Sequence, residues 1–299
     1  MQTHILASVE FCLGFVALSL AIGCGEARPA AVSTRTIQDG GQPISFHASS
    51  AATIHGQVTW RGEIPRVAEF EVLPNFVGGE IFHKKRNWPN PNAPLVDAPS
   101  KGVSGAVVFL RGVQSSRSKP WDHGPVTIEQ REGQFHVVQD GVDSPCGFVR
   151  RGDRVKMVSR DSYLYALHAG GAEYFSLTFP APDQPRERAL KQCGLVELSS
   201  GIGYFWMRAY LFVDDHPYYA RTDRQGNFAL TGVPPGNYEL VCWLPSWREA
   251  RHDRDPESRL ISRLVFQPAV ELRQALTLGS RETRQAQFSF SLSQFSKED

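Results

Sequence analysis

Ala220-Arg221-Thr222-Asp223-Arg224-Gln225-Gly226-Asn227-Phe228-Ala229-Leu230 reads as a strand, a tight turn and a second strand. The turn needs a residue with φ > 0, and Gly226, with no Cβ, adopts that conformation cheaply. Val233-Pro234-Pro235-Gly236-Asn237-Tyr238-Glu239-Leu240 follows as another turn, feeding a strand that runs through Trp243. Phe228 and Leu230, and Tyr238 and Leu240, fall at alternate positions and are expected to face a core. The pattern predicts strands packed as a sandwich.

Working outward, the same texture continues. Ile54-His55-Gly56-Gln57-Val58-Thr59-Trp60 alternates as a strand, with ordered structure expected from Thr53, and residues 104–110 form the next. Short strands separated by turn residues are predicted at 126–128, 134–138, 153–158, 174–179, 194–198 and 208–213. Residues 83–100 are broken by proline and cannot be a central strand. The charged stretch Arg248 to Arg259 reads as a solvated loop, and residues 286–292 as a closing strand with Phe288 and Phe290 on one face. With 26 Gly, 20 Pro and 11% aromatic residues in 299, the chain is expected to be all-β with room for two ordinary domains. A formal charge of +1 argues against a nucleic-acid binder or a polybasic membrane patch.

The N-terminus carries an export signal. Residues 11–23 form an apolar run too short to span a bilayer comfortably. The run ends in Leu20-Ala21-Ile22-Gly23-Cys24, which resembles a bacterial lipobox, and that resemblance implies acylation of Cys24. No Lys or Arg precedes Arg28, a departure from the usual positive start. Residues 1–24 are therefore taken as a signal peptide, and 25–52, rich in Ala, Ser, Thr, Gly and Gln, as a flexible tether. The expected address is the periplasm or cell envelope, with membrane contact only through a lipid anchor. Export permits a disulfide; of Cys146, Cys193 and Cys242, the first two are the expected pair, which leaves one thiol over.

Two further stretches carry a resemblance. The first is Ser159-Arg160-Asp161-Ser162-Tyr163-Leu164-Tyr165-Ala166-Leu167-His168-Ala169. The second is Gly203-Tyr204-Phe205-Trp206-Met207-Arg208-Ala209-Tyr210, running on to Asp215-His216-Pro217-Tyr218. Together they resemble the cupredoxin domain of plastocyanin-like, methylamine-utilisation-type secreted proteins, over about residues 104–245. In that family two His, a Cys and a weak axial Met hold copper in one geometry for both oxidation states. Placed on the motif, Tyr165 stands at the first His, Ser200 (or Gly201) at the Cys, and Tyr204 at the second His; Met207 alone survives. Serine hydroxyls and neutral tyrosines are poor copper ligands, so no cofactor is expected. A rebuilt metal site would have to begin from His168 and Met207. Tyr165, Tyr204, Phe205 and Trp206 are open to two readings: an aromatic binding surface, or a plug in the vacated cavity.

The stretch 222–240 resembles in turn the carboxypeptidase-regulatory, or prealbumin-like, β-sandwich, whose first strand has the form of Gly56-Gln57-Val58. After Trp243, where related proteins often carry His, this chain has Leu244. The resemblances imply a prealbumin-like sandwich from 53–113 plus 218–292, a cupredoxin-like domain at 114–217 packed with it or inserted into it, and a tail at 293–299. Tandem order is the alternative. No G-x-S-x-G, HExxH, P-loop or G-x-G-x-x-G occurs. The expected function is non-catalytic binding of a carbohydrate or protein partner at the envelope. The alternatives are a copper-binding or electron-transfer protein with a rebuilt site, and an accessory to polysaccharide-active enzymes.

Overall fold

Continuous apolar runs mark strands buried on both faces, and this chain has two of them. Val107-Val108-Phe109-Leu110 lies within the strand Val107–Arg111, and all four side chains are buried. Ala209 to Val213 lies within Arg208–Asp214 and is likewise wholly buried. Each must therefore sit in a sheet covered on both sides. The computed structural model, which describes residues 45–72, 86–254, 256–257 and 261–296, shows how.

Four sheets form successive layers. Sheet I has the order Asn227–Val233, Ala52–Trp60, Thr283–Phe290, and sheet II the order Tyr219–Arg221, Val107–Arg111, Gly236–Leu244, Val270–Leu278. Sheet III runs Cys146–Arg150, Arg208–Asp214, Gly194–Ser200, Tyr165–Gly171, Phe175–Phe179. Sheet IV runs Arg186–Ala189, Arg154–Ser159, Thr127–Arg131, Gln134–Gln139, Val142–Ser144. Ala52–Trp60 pairs antiparallel with Asn227–Val233 and parallel with Thr283–Phe290. Sheets I and II draw on both ends of the described chain, whereas III and IV are built from 127–214. The fold is all-β.

Three cores separate the layers, and side-chain alternation deals the residues between them. Ile54, Val58, Phe228, Leu230 and Phe288 of sheet I meet Val108, Leu110, Leu240 and Cys242 of sheet II. The other face of sheet II presents Val107, Phe109, Val241 and Trp243 to Phe148, Tyr210 and Phe212 of sheet III. Between sheets III and IV lie Leu167, Val196, Leu198, Leu211 and Val213 against Ile128, Val137, Val155 and Met157. Odd and even residues of Arg208–Asp214 thus enter different cores.

The deciding turn forms as its residues require. Gly226 has φ +82°, and a Cβ there would run into the Val58 carbonyl oxygen. The Val58 N–H donates to the Gly226 carbonyl at 2.8 Å, which closes the turn onto the neighbouring strand. Phe288 and Phe290 are both buried, as their shared face predicts; Tyr238 is only half-buried, its hydroxyl donating to the Pro234 carbonyl at 2.9 Å.

Three expectations are corrected. Residues 45–52 are not a free tether: Ala48–Ser50 is a 3₁₀ turn, and Arg281 donates from its backbone to the Ser50 carbonyl and from its side chain to that of Ser49. The stretch from Arg248 is not a loop but the hairpin Glu249–Arg254 with Ile261–Phe266, anchored by buried Leu264. Cys146 and Cys193 are both free. They lie on strands flanking Arg208–Asp214 from opposite sides, Cys146 opposite Tyr210 and Gly194, next to Cys193, opposite Val213. Two strand spacings are roughly 9–10 Å, beyond the ~7 Å limit for a disulfide. Signal residues 1–24, including Cys24, and 25–44 of the tether lie outside the described residues.

The thiols give a direct check. Burial pushes Cys146 up to about 12 and Cys242 higher still, while Cys193 is exposed. A chain of residues 53–299 is expected to show one thiol reacting rapidly with an aromatic disulfide reagent in the native state and three in denaturant. Only one thiol in denaturant would overturn the assignment of three free cysteines.

Candidate functional site

The positions at which the resemblance places copper ligands come together, but not as a surface. Tyr165 and Tyr204 are fully buried, their rings edge to face at 5.6 Å. Tyr204 lies 5.6 Å from Trp206, which stacks on Trp88 at 5.1 Å; Phe205 meets Trp206 edge-on at 5.2 Å and Phe70 at 5.5 Å. The reading of Tyr165, Tyr204, Phe205 and Trp206 as an exposed binding surface is therefore corrected, because all four belong to the core between sheets III and IV. The rings pack against one another, and the polar tips of Tyr165 and Trp206 are turned to fixed partners.

Those partners also decide the chemistry. The Tyr165 hydroxyl donates to Asp161 Oδ2 at 2.6 Å and accepts the Gly133 N–H at 2.9 Å, while Trp206 Nε1–H donates to the Gly133 carbonyl at 2.9 Å. The loop at Gly133 is thereby clamped between two aromatic side chains. Burial, then the Asp161 carboxylate, raises the Tyr165 hydroxyl far above its ordinary value; burial pushes Tyr204 up to about 12. Both stay protonated at neutral pH. Ser200 Oγ accepts the N–H groups of Ile202 and Tyr204, each at 3.3 Å. Met207 is a buried core residue whose own N–H donates to the Tyr204 carbonyl at 2.9 Å. Two protonated phenols, an occupied hydroxyl and one thioether do not fit copper.

Nor do His168 and Met207 make a rebuilt site. Along Tyr165–Gly171, Leu167 points into the core that holds Met207, whereas exposed His168 points to the opposite face. Alternation puts the sheet between them. Among the described residues no three His, Cys, Asp or Glu side chains are placed to hold a metal ion.

The opposite face of sheet III carries a different feature. Sheet II covers it over Cys146–Arg150 and Arg208–Asp214, where the aromatic core between the two sheets lies. Beyond that edge, a cleft of about 730 Å³ opens between the outer strands of sheet III and the segment 243–269. Register aligns its floor. Ser176 lies opposite His168, His168 opposite Ser199, and Ser199 opposite Arg208, a polar row across four adjacent strands. The next row places Gly170 opposite Glu197 and Glu197 opposite Tyr210. Tyr174, 82% exposed, stands at the rim.

Arg208 is the anchor of this floor. Its side chain is 3% exposed, with Nε 3.3 Å from Glu197 Oε1. One terminal nitrogen donates to the Met207 carbonyl at 3.3 Å and the other to that of Leu264, tying the 261–266 strand to the sheet. The guanidinium lies 5.6 Å over the Phe266 ring. The Tyr210 hydroxyl donates to Asn92 Oδ1 at 3.0 Å, and Asn92 and Asn90 in turn donate to the carbonyls of Ser246 and Trp247. Both walls are thus fixed by buried hydrogen bonds before any ligand arrives. His168 Nδ1 faces Ser176 Oγ at 3.1 Å, and its ring lies where a Cβ on Gly201 would be, so a larger residue at 201 would displace the imidazole.

Of the cleft residues, the sequence points to His168, as a metal ligand, and to Ser200 or Gly201, at the aligned Cys position. Glu197, Ser199, Arg208, Tyr210 and Tyr174 went unnoticed because nothing local distinguishes a polar residue facing a cleft from one facing solvent. The detectable signal was Arg208: an arginine flanked by Trp206-Met207 and Ala209-Tyr210 must be buried with a partner.

No protein-family model matches the chain, and no curated protein does. Among solved structures it is similar to an amicyanin mutant in the reduced state, at 17% identity over 30% of this chain and 82% of that one, with a TM-score of 0.24. An oxidised amicyanin mutant matches at 13% identity over 35% and 98% of the two chains, TM-score 0.25. A purple cupredoxin from Nitrosopumilus maritimus matches at 13% identity over 30% and 98%, TM-score 0.23.

Proposed function

We propose that this chain is an exported, non-catalytic β-sandwich protein that binds a carbohydrate in the cleft over sheet III. On this reading it has a cupredoxin-like half whose metal positions have been filled by packing, joined to a prealbumin-like half. Export and lipid anchoring at Cys24 rest on the N-terminal segment, and the anchor would be its sole contact with membrane.

The observation that carries the reading is the polar row His168–Ser199–Arg208, lying in a cleft that Tyr174 also lines, with Ser176 extending the row beside it. Sugar rings present hydroxyl edges and apolar C–H faces. Alternating hydroxyl, imidazole and guanidinium groups suit the edges, and an exposed aromatic ring suits the faces. The Ser176 hydroxyl meets the His168 imidazole at 3.1 Å, but among the described residues no carboxylate hydrogen-bonds the ring's other nitrogen to complete a catalytic triad, and binding without turnover is expected. A glycan array followed by calorimetric titration with the best oligosaccharide tests this. Tyr174→Ala is expected to weaken the interaction about three- to tenfold, the loss of one stacking contact. Failure of every glycan to bind would sink the proposal, and a copper titration on the same material would then be the next measurement.

A further inference from the structure

Four groups in the cleft can carry charge, and their pairing is unequal. Arg208 is matched by Glu197 at 3.3 Å. His168 is shared with the Ser176 hydroxyl. Arg263, on the cleft wall, is exposed and makes no ion pair within 4 Å among the described residues, though its charge acts on Asp253. Its strand partner across the hairpin is Asp253, but Arg251 Nε and a terminal nitrogen already take both Asp253 oxygens, at 2.7 and 3.3 Å. The cleft therefore holds one guanidinium more than it holds carboxylates.

We propose that the ligand of this cleft is an acidic saccharide, whose carboxylate is read by Arg263 while its hydroxyls lie along the Ser199–His168 row. The inference rests on the carbohydrate reading above and narrows it. The neighbourhood of Arg208 points the same way: burial holds that guanidinium below its ordinary value, Glu197 opposes the shift, and Arg263 adds to it. Two guanidinium groups on one cleft, with a single carboxylate between them, leave a site that an anion completes. A guanidinium meets a carboxylate through two parallel N–H donors, a geometry that neutral hydroxyls cannot reproduce. Glu197 disfavours densely charged polyanions and limits the fit to a ligand with one acidic group per bound unit.

The test is calorimetric titration of the purified chain with two oligosaccharides of equal length, one containing hexuronic acid and one its carboxyl-reduced counterpart. The acidic form is expected to bind about tenfold tighter, with the advantage shrinking in high salt as an exposed charge contact should. Arg263→Gln, at an exposed position, is expected to abolish that advantage. Equal affinity for the two forms overturns the acidic assignment and leaves the carbohydrate reading standing. An Arg263→Gln variant that retains the full advantage also overturns it. Failure of both oligosaccharides to bind removes the carbohydrate reading itself.

Discussion

Trp206→Ala is expected to destabilise the protein by about 3–5 kcal/mol, the usual cost of emptying a large aromatic site in a packed core. Trp206 is 2% exposed and touches three other rings, those of Trp88, Tyr204 and Phe205. Its loss removes dispersion contacts on both faces and leaves the Gly133 carbonyl without the indole donor at 2.9 Å. The turn at Gly133, where Glu132 has φ 51° and Gly133 φ 72°, is otherwise held there by the Tyr165 hydroxyl. Trp206→Phe should recover part of the packing and none of the hydrogen bond, and is expected to fall between. Urea unfolding followed by intrinsic fluorescence and circular dichroism measures both variants. A loss under 1 kcal/mol for the alanine variant would mean that the aromatic cluster does not hold the core between sheets III and IV together.

Phe212→Ala is expected to cost a similar ~3–5 kcal/mol, but to change the form of the transition as well. Phe212 sits in the core joining sheets II and III, with ring contacts to Phe109, Phe148, Tyr219 and Trp243 at 5.2–6.2 Å. This is the seam through which the 127–214 sheets share stability with the other two. With the seam intact, one cooperative transition is expected, since the double-buried strands Val107–Arg111 and Arg208–Asp214 cannot be stripped on one side without exposing apolar surface. In the Phe212→Ala variant, unfolding monitored by fluorescence and by proteolysis is expected to separate into two steps. Coincident transitions in the variant would show that the halves are coupled through something other than this core.

Much of the architecture was legible before any coordinates. The turn at Gly226, the closing strand with Phe288 and Phe290, and the inward alternation of Phe228 and Leu230 all follow from local rules, because φ preference and period-2 burial are properties of a few consecutive residues. The wholly apolar strands at 107–110 and 209–213 even carry the statement that some sheets are covered on both faces.

What the sequence by itself determined was which residues could face inward and where the chain must turn. Only the tertiary structure decided that Tyr165, Tyr204, Phe205 and Trp206 are packed together in a core rather than displayed, and that His168 and Met207 lie on opposite faces of one sheet. Only it separated Cys146 from Cys193 by an intervening strand, and aligned Ser176, His168, Ser199 and Arg208 from four strands into one row. The physical reason is register. A one-residue slip between neighbouring strands leaves every local preference nearly satisfied yet reverses which side chains share a face. Register is set by the fit of whole layers, a long-range property that no window of sequence contains.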